Sequence, residues 1–145
     1  MNKQDLEKKI LSSGIRVGTS VKTKFMIPFI TKASPEGFYL FDLDITLSRI
    51  QTAGRFIKKF DMKQVIVYSG RTYAATAIEK FCELTGAQMM LGRFMPGTLT
   101  NPSLPYYIEP QLIVISDPQI DAQAVTEATN AGIPVIGIAN TDNVT

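Results

Sequence analysis

Val65-Ile66-Val67-Tyr68-Ser69-Gly70-Arg71 opens a stretch that ends in a second apolar run, Ala87-Gln88-Met89-Met90-Leu91. A short continuous apolar run stopped by Ser-Gly reads as a strand, Val65 to Tyr68, covered on both faces. Between the runs, Thr72 to Leu84 reads as a helix that Gly86 closes. A strand, a helix and a strand joined this tightly form a βαβ unit, whose two strands run parallel.

Working outward, the same alternation continues on both sides. Upstream, Phe38 to Leu43 is expected as a strand, and Thr46 to Phe60 as a helix with Leu47, Ile50, Ala53, Ile57 and Phe60 on one face. Downstream come a strand at Leu112 to Ile115, a helix at Asp121 to Asn130 with Gly132 at its end, and a strand at Pro134 to Ile138. The fold class that follows is α/β: an open doubly wound, flavodoxin-like or Rossmann-like sheet, mostly parallel, with helices on both faces. A basic N-terminal helix and arm precede it. Asp5 to Leu11 reads as a short amphipathic helix with Leu6 and Ile10 one turn apart and Gly14 as its stop. Phe25 to Ile30 is apolar but broken by Pro28, an edge strand or irregular segment, and Pro35-Glu36-Gly37 is a turn. The expected organisation is residues 1–35 as helix and arm, and 36–145 as the α/β sandwich domain.

Between Leu91 and Leu112 runs a long connection, Gly92-Arg93-Phe94-Met95-Pro96-Gly97-Thr98-Leu99-Thr100-Asn101-Pro102, followed by Pro105, Tyr106, Tyr107 and Pro110. Connections this long inside a compact domain are functional or disordered, and prolines with aromatics favour an ordered, stiff one. The proline-rich loop 92–110 is therefore expected to be a meeting point with a partner. Tyr106 and Tyr107 stand either as stacking or partner contacts or as packing of the loop onto the sheet.

Composition narrows the classes. The 145 residues are 45% hydrophobic and 19% charged, ordinary for one globular domain. No run reaches the roughly twenty apolar residues of a membrane span, and the first residues have no apolar h-region of a secretory signal. One cysteine, Cys82, and no histidine leave no internal disulfide and argue against the usual zinc or iron sites. Net charge is only +2, yet it is divided unevenly. All 15 Lys and Arg lie at or before Arg93 against eight acids, whereas five acids and no base follow. Such asymmetry points to a polyanion for the basic part, with Lys58, Lys59, Lys63 and Lys80 read as solvating helix faces and ends.

Two motifs invite catalytic readings. Gly14-Ile15-Arg16-Val17-Gly18-Thr19-Ser20-Val21-Lys22-Thr23-Lys24 has the residue types of a phosphate loop, but its spacing departs from the P-loop and it follows a helix. It is read instead as a basic arm that touches phosphates without base specificity. Asp42-Leu43-Asp44-Ile45-Thr46, with Ser69-Gly70-Arg71, Asp117 and Asp121, resembles the haloacid-dehalogenase phosphatases. That match would make Asp42 the nucleophile, Asp44 the general acid, and Asp117 and Asp121 magnesium ligands. Against it, Ile45 replaces a usual glycine, no room remains for a flap, and no lysine follows Arg93. The same residues serve equally as structure: Asp44 and Ser69 as helix caps, and Asp117 as the start of a turn at Pro118.

A longer resemblance runs through the whole chain. Its pieces are Gly14 to Thr19 with Lys22 to Lys24, Gly37-Phe38-Tyr39, Arg71 with Phe81 to Gly86, Gly92 to Pro102, Tyr107-Ile108-Glu109-Pro110, Ser116-Asp117-Pro118, Asp121 with Gln123-Ala124-Val125, and Gly132 to Val135 through Asn140-Thr141-Asp142-Asn143. Over roughly residues 10 to 145 these resemble the small-subunit ribosomal protein two family, in its archaeal and eukaryotic branch, related to the laminin-receptor-like protein SA. The family commonly has His where this chain has Arg16, which keeps positive charge there. It also usually continues beyond this Asn-Thr-Asp-Asn stretch with a further strand and helix, so the chain reads as a shortened member or an incomplete sequence.

The resemblance implies a noncatalytic, structural constituent of the small ribosomal subunit, in the cytoplasm, placed between head and body. It implies small-subunit ribosomal RNA and neighbouring ribosomal proteins as partners, and no cofactor, membrane or small-molecule substrate. Charge and loop position, rather than the family, single out Arg16, Lys22, Lys24, Arg71 and Arg93 as phosphate contacts.

Overall fold

The structure, a computed structural model, describes residues 3–144, and those residues form two compact units. One comprises the chain up to Thr52 together with Asn140 onward; the other is Ala53–Ala139.

In the second unit, strands β3 (Val65–Ser69), β4 (Gln88–Leu91), β5 (Leu112–Ile115) and β6 (Val135–Gly137) form one parallel sheet in the order β4-β3-β5-β6. Strand alternation sends successive side chains to opposite faces, and both faces are covered. Val65, Val67 and Leu112 pack on one side with Ile78 of helix α3 (Ala75–Thr85) and with Ile57 and Phe60. Tyr68, Ile113 and Ile115 pack on the other with Ala124 and Ala128 of helix α4 (Ala122–Asn130). The doubly wound α/β class expected from the alternation is the one observed. Helix α3 ends where expected, with the Gly86 amide on the Cys82 carbonyl at 2.8 Å.

The first unit holds helix α1 (Lys3–Ser13), a two-stranded antiparallel sheet of β1 (Ile30–Ala33) and β2 (Tyr39–Phe41), and most of helix α2 (Leu43–Ile57). Of the pair expected on the apolar side of α1, Ile10 is buried; the Leu6 side chain lies outside the described residues. The segment around Pro28 is a single 3-10 turn, Ile27–Phe29, that leads into β1. The run expected as a strand over Phe38 to Leu43 is shorter and pairs with β1, not with the parallel sheet. The connection through Pro35-Glu36-Gly37 explains this, because a few residues can return a chain only antiparallel. Helix α2 also begins before Thr46. The Asp42 carboxylate accepts from the Ile45 amide at 3.1 Å, so Asp42, not Asp44, is the capping acid.

Among the described residues no helix is long and apolar enough to cross a membrane. Ile113 is fully buried at the centre of the sheet. Replacing it with alanine is expected to cost about 2–5 kcal/mol, read as a lower urea midpoint. A loss below about 1 kcal/mol would contradict its place in the tightest part of the core.

Candidate nucleic-acid and partner interface

In an open parallel sheet, ligands meet the carboxyl ends of the strands where the winding direction reverses. Here the chain leaves β3 for β4 on one side and later lays β5 on the other, so the reversal lies between β3 and β5. That point is occupied by the protein's own side chains. Ser116 donates its hydroxyl to Ser69 Oγ at 2.5 Å, and Ser69 Oγ accepts the Arg71 amide at 3.0 Å. The Asp121 carboxylate accepts the Gly70 amide at 3.1 and 3.3 Å. A Cβ on Gly70 would stand 2.6 Å from that carboxylate, so only glycine admits the approach. Burial pushes the Asp121 carboxyl above its ordinary value, although the Gly70 amide works against the rise. Burial, then the Asp121 charge, raises Tyr68, whose hydroxyl donates to Gly92 O at 2.9 Å.

The expected RNA contacts fall into different situations. Arg71 Nη2 lies 2.7 Å from Asp117 Oδ2, so its charge is already matched, with about half of the side chain exposed. Asp117 also accepts the Gln119 amide at 3.1 Å, the turn expected at Pro118. Arg93 is exposed at the mouth of the long loop. In the first unit, Lys22 and Lys24 are exposed and Arg16 is half-buried. The Lys22 ammonium sits 4.9 Å from the Tyr39 ring centroid. Arg16 Nε donates to Phe41 O at 3.2 Å.

The arm is not loose backbone. The Gly18 amide bonds Tyr39 O at 2.8 Å, the Tyr39 amide bonds Thr19 O at 3.0 Å, and the Phe41 amide bonds Arg16 O at 2.9 Å. Val17 bridges Leu40 antiparallel, so the arm runs along β2 like a further strand.

The long loop is ordered, as its prolines suggested. Phe94 and Leu99 are buried in the core on the α4 side, with Phe94 edge-on to Tyr68 at 5.3 Å between ring centroids. The Ile108 amide bonds Thr98 O at 2.9 Å and closes the loop on itself. Tyr106 is partly exposed with its hydroxyl 3.4 Å from Pro96 O; Tyr107 lines an open groove with Phe60, Leu99, Glu109, Gln123 and Ile133.

One residue that holds this loop carries no motif of its own in the sequence. Glu127 of α4 is buried, and its carboxylate accepts the amides of Gly97 at 2.8 Å and Leu99 at 3.3 Å, and Gln123 Nε2 at 2.8 Å. Burial alone would raise its pKa, but the Gly97 amide, the Gln123 amide and the Leu99 amide together hold it below the usual glutamate value. The spacing carries a signal: Ala124, Glu127 and Ala128 stand at i, i+3 and i+4, which puts an acid on the inward stripe. Nothing about a lone glutamate named its partner.

The sequence model of the family described as Ribosomal protein S2 matches residues 10–104. The chain belongs to the ribosomal protein S2 family. It is 73% identical over 141 residues to the small ribosomal subunit protein uS2 of Nitrosopumilus maritimus, covering 97% of this chain and 68% of that protein. To uS2 of Cenarchaeum symbiosum it is 58% identical over 136 residues, with 94% and 65% covered. To uS2 of Thermofilum pendens it is 47% identical over 133 residues, with 92% and 62% covered. The chain thus spans about two thirds of the length of these curated relatives. These relatives are archaeal and fall within the archaeal and eukaryotic branch expected from the motifs, and nothing in them supports the phosphatase reading of Asp42 to Thr46.

Glu127→Gln is expected to lower stability by about 1–3 kcal/mol at neutral pH, because two loop amides lose an ionised acceptor. The Glu127 pKa is depressed in the fold, so its stabilisation is present above the ordinary glutamate pKa and lost as pH falls through the folded value. Urea titrations from neutral to acid pH should therefore show a shallower acid loss in the variant. Parallel pH profiles for variant and wild type would contradict the anchoring role.

Proposed function

We propose that the chain is a structural constituent of the small ribosomal subunit, binding ribosomal RNA and neighbouring ribosomal proteins between head and body, in the cytoplasm. The observation that carries this reading is the likeness to archaeal small-subunit proteins over nearly the whole chain. The closed strand ends agree with it: the reversal point that would hold a small ligand is filled by Ser69, Ser116 and Asp121.

Lys22 and Lys24, exposed on the arm just beyond the stretch paired with β2, are the side chains best placed to meet phosphates. Arg16 adds charge to the same arm, and Arg93 offers a second point at the loop. Arg71 contributes only by sharing or exchanging its Asp117 partner. The segment after Arg93 carries five acids and no base, which suits basic protein neighbours rather than RNA. A net charge of only +2 fits this division, since a domain held by phosphates alone would be more basic. Tyr106, exposed on the loop, is the aromatic group open to a partner, and Tyr107 serves the groove wall.

The test replaces Lys22 and Lys24 together with glutamate and measures incorporation into small subunits in reconstitution. The variant should enter subunits poorly while its thermal unfolding stays close to wild type. Unchanged incorporation would remove the arm from the interface. In direct RNA binding, neutralising both lysines with glutamine should lower the slope of log affinity against log salt by roughly one to two.

A further inference from the structure

The first unit contains a contact between parts of the chain more than a hundred residues apart. The Thr141 side chain is fully buried, and its Oγ1 accepts the Thr19 amide at 2.9 Å and meets Thr19 Oγ1 at 2.8 Å. The Thr23 amide donates to Thr141 O at 3.0 Å, and Thr23 Oγ1 donates to Asn143 O at 2.6 Å. The segment is itself folded into a tight turn: Asn143 Oδ1 accepts the Asn140 amide at 2.9 Å, and Asn140 Oδ1 accepts the Thr141 amide at 2.8 Å. Gly18 completes the fit, because a Cβ there would stand 2.4 Å from Thr141 Cγ2. Thr141 and Asn143 therefore grip the arm at Thr19 and Thr23, on either side of Lys22 and next to Lys24.

We propose that Thr141 and Asn143 are positioning residues for the phosphate-binding arm, acting through Thr19 and Thr23 without touching RNA themselves. This rests on the reading of the arm given under Proposed function. β2 fixes one edge of the arm only as far as Thr19, whose carbonyl accepts the Tyr39 amide. Beyond it, Val21 is exposed, and its amide reaches only the Thr19 hydroxyl, at 3.4 Å. The backbone bond that next ties the arm to the rest of the unit runs from Thr23 to Thr141. The clasp thus decides whether Lys22 and Lys24 are presented on ordered backbone or on a free loop, which would lose conformational entropy on binding. It also sets an order of events: the arm is made first in synthesis but is completed only once residues 140–143 are available.

The test compares wild type, Thr141→Val, which keeps the shape and removes the hydroxyl, and Thr141→Ser, which keeps the hydroxyl. Two readouts are taken on the full chain: hydrogen exchange at the Thr19 and Thr23 amides, and binding to small-subunit rRNA of Nitrosopumilus maritimus at two salt concentrations. The valine variant should lose protection at Thr19 and bind RNA several-fold more weakly with a smaller salt slope, while amides of β3 and β5 stay protected. The serine variant should regain most of both. Valine binding with wild-type affinity and slope, despite lost protection at Thr19, would overturn the clasp alone. Wild-type binding without any salt dependence would overturn the reading of the arm, and the positioning role with it. Should valine expose β3 and β5 as well, the serine variant decides: weak binding with Thr19 protected overturns the proposal.

Discussion

A parallel strand buried along its whole length brings polar backbone to its carboxyl end, and every such group there has to find a partner. At β3 the partners come from inside the protein. Ser69 is fully buried and meets the Ser116 hydroxyl, while the Gly70 amide points into the carboxylate of Asp121. An unmatched buried group would cost about 1–3 kcal/mol, so these contacts hold the sheet's reversal point closed. The remaining features of the second unit depend on that closure. Asp117 can pair with Arg71, and Tyr68 can carry its hydroxyl to Gly92, at the point where the long loop begins.

Two buried carboxylates of this unit are used in opposite electrostatic ways. At Asp121 burial, with the Asp117 charge nearby, outweighs the Gly70 amide, and its pKa rises. Glu127 receives several amides, and those donors outweigh the same kind of burial. The difference matches their tasks. Asp121 fills a space next to a glycine, whereas Glu127 ties twenty residues of irregular chain to a helix. A loop with Phe94 and Leu99 in the core and Tyr106 at the surface is then a rigid display, not a mobile tether.

Much of this was legible in the sequence. Val65 to Tyr68, Leu112 to Ile115 and the glycine after Thr85 placed the parallel sheet and its helix nearly where they stand. The apolar run from Phe38 suggests a strand of the parallel sheet, whereas the short Pro35-Glu36-Gly37 return forces a hairpin with β1. Asp42, rather than the Asp44 that the sequence suggests, caps α2, since two nearby acids at a helix start differ only in the backbone angle at each. The Asp-x-Asp-x-Thr string suggested chemistry from residue types alone, whereas family membership followed from order and spacing across the whole chain. The contacts of Glu127 and Thr141 are not legible for one reason: both act on backbone amides far away in sequence, and amides carry no residue signature. The cationic residues were easy to name, yet the sequence could not say that Arg71 would already be paired.

The proposed reading gives the chain two kinds of partner, phosphates for the basic arm and basic protein neighbours for the acidic segment after Arg93. The most direct test of that account is sucrose-gradient sedimentation of cell lysate, following the chain by antibody at low and moderate salt. The account predicts co-migration with small subunits that persists at moderate salt, because protein neighbours supplement the screened phosphate contacts. A chain found only at the top of the gradient at both salt concentrations would contradict it.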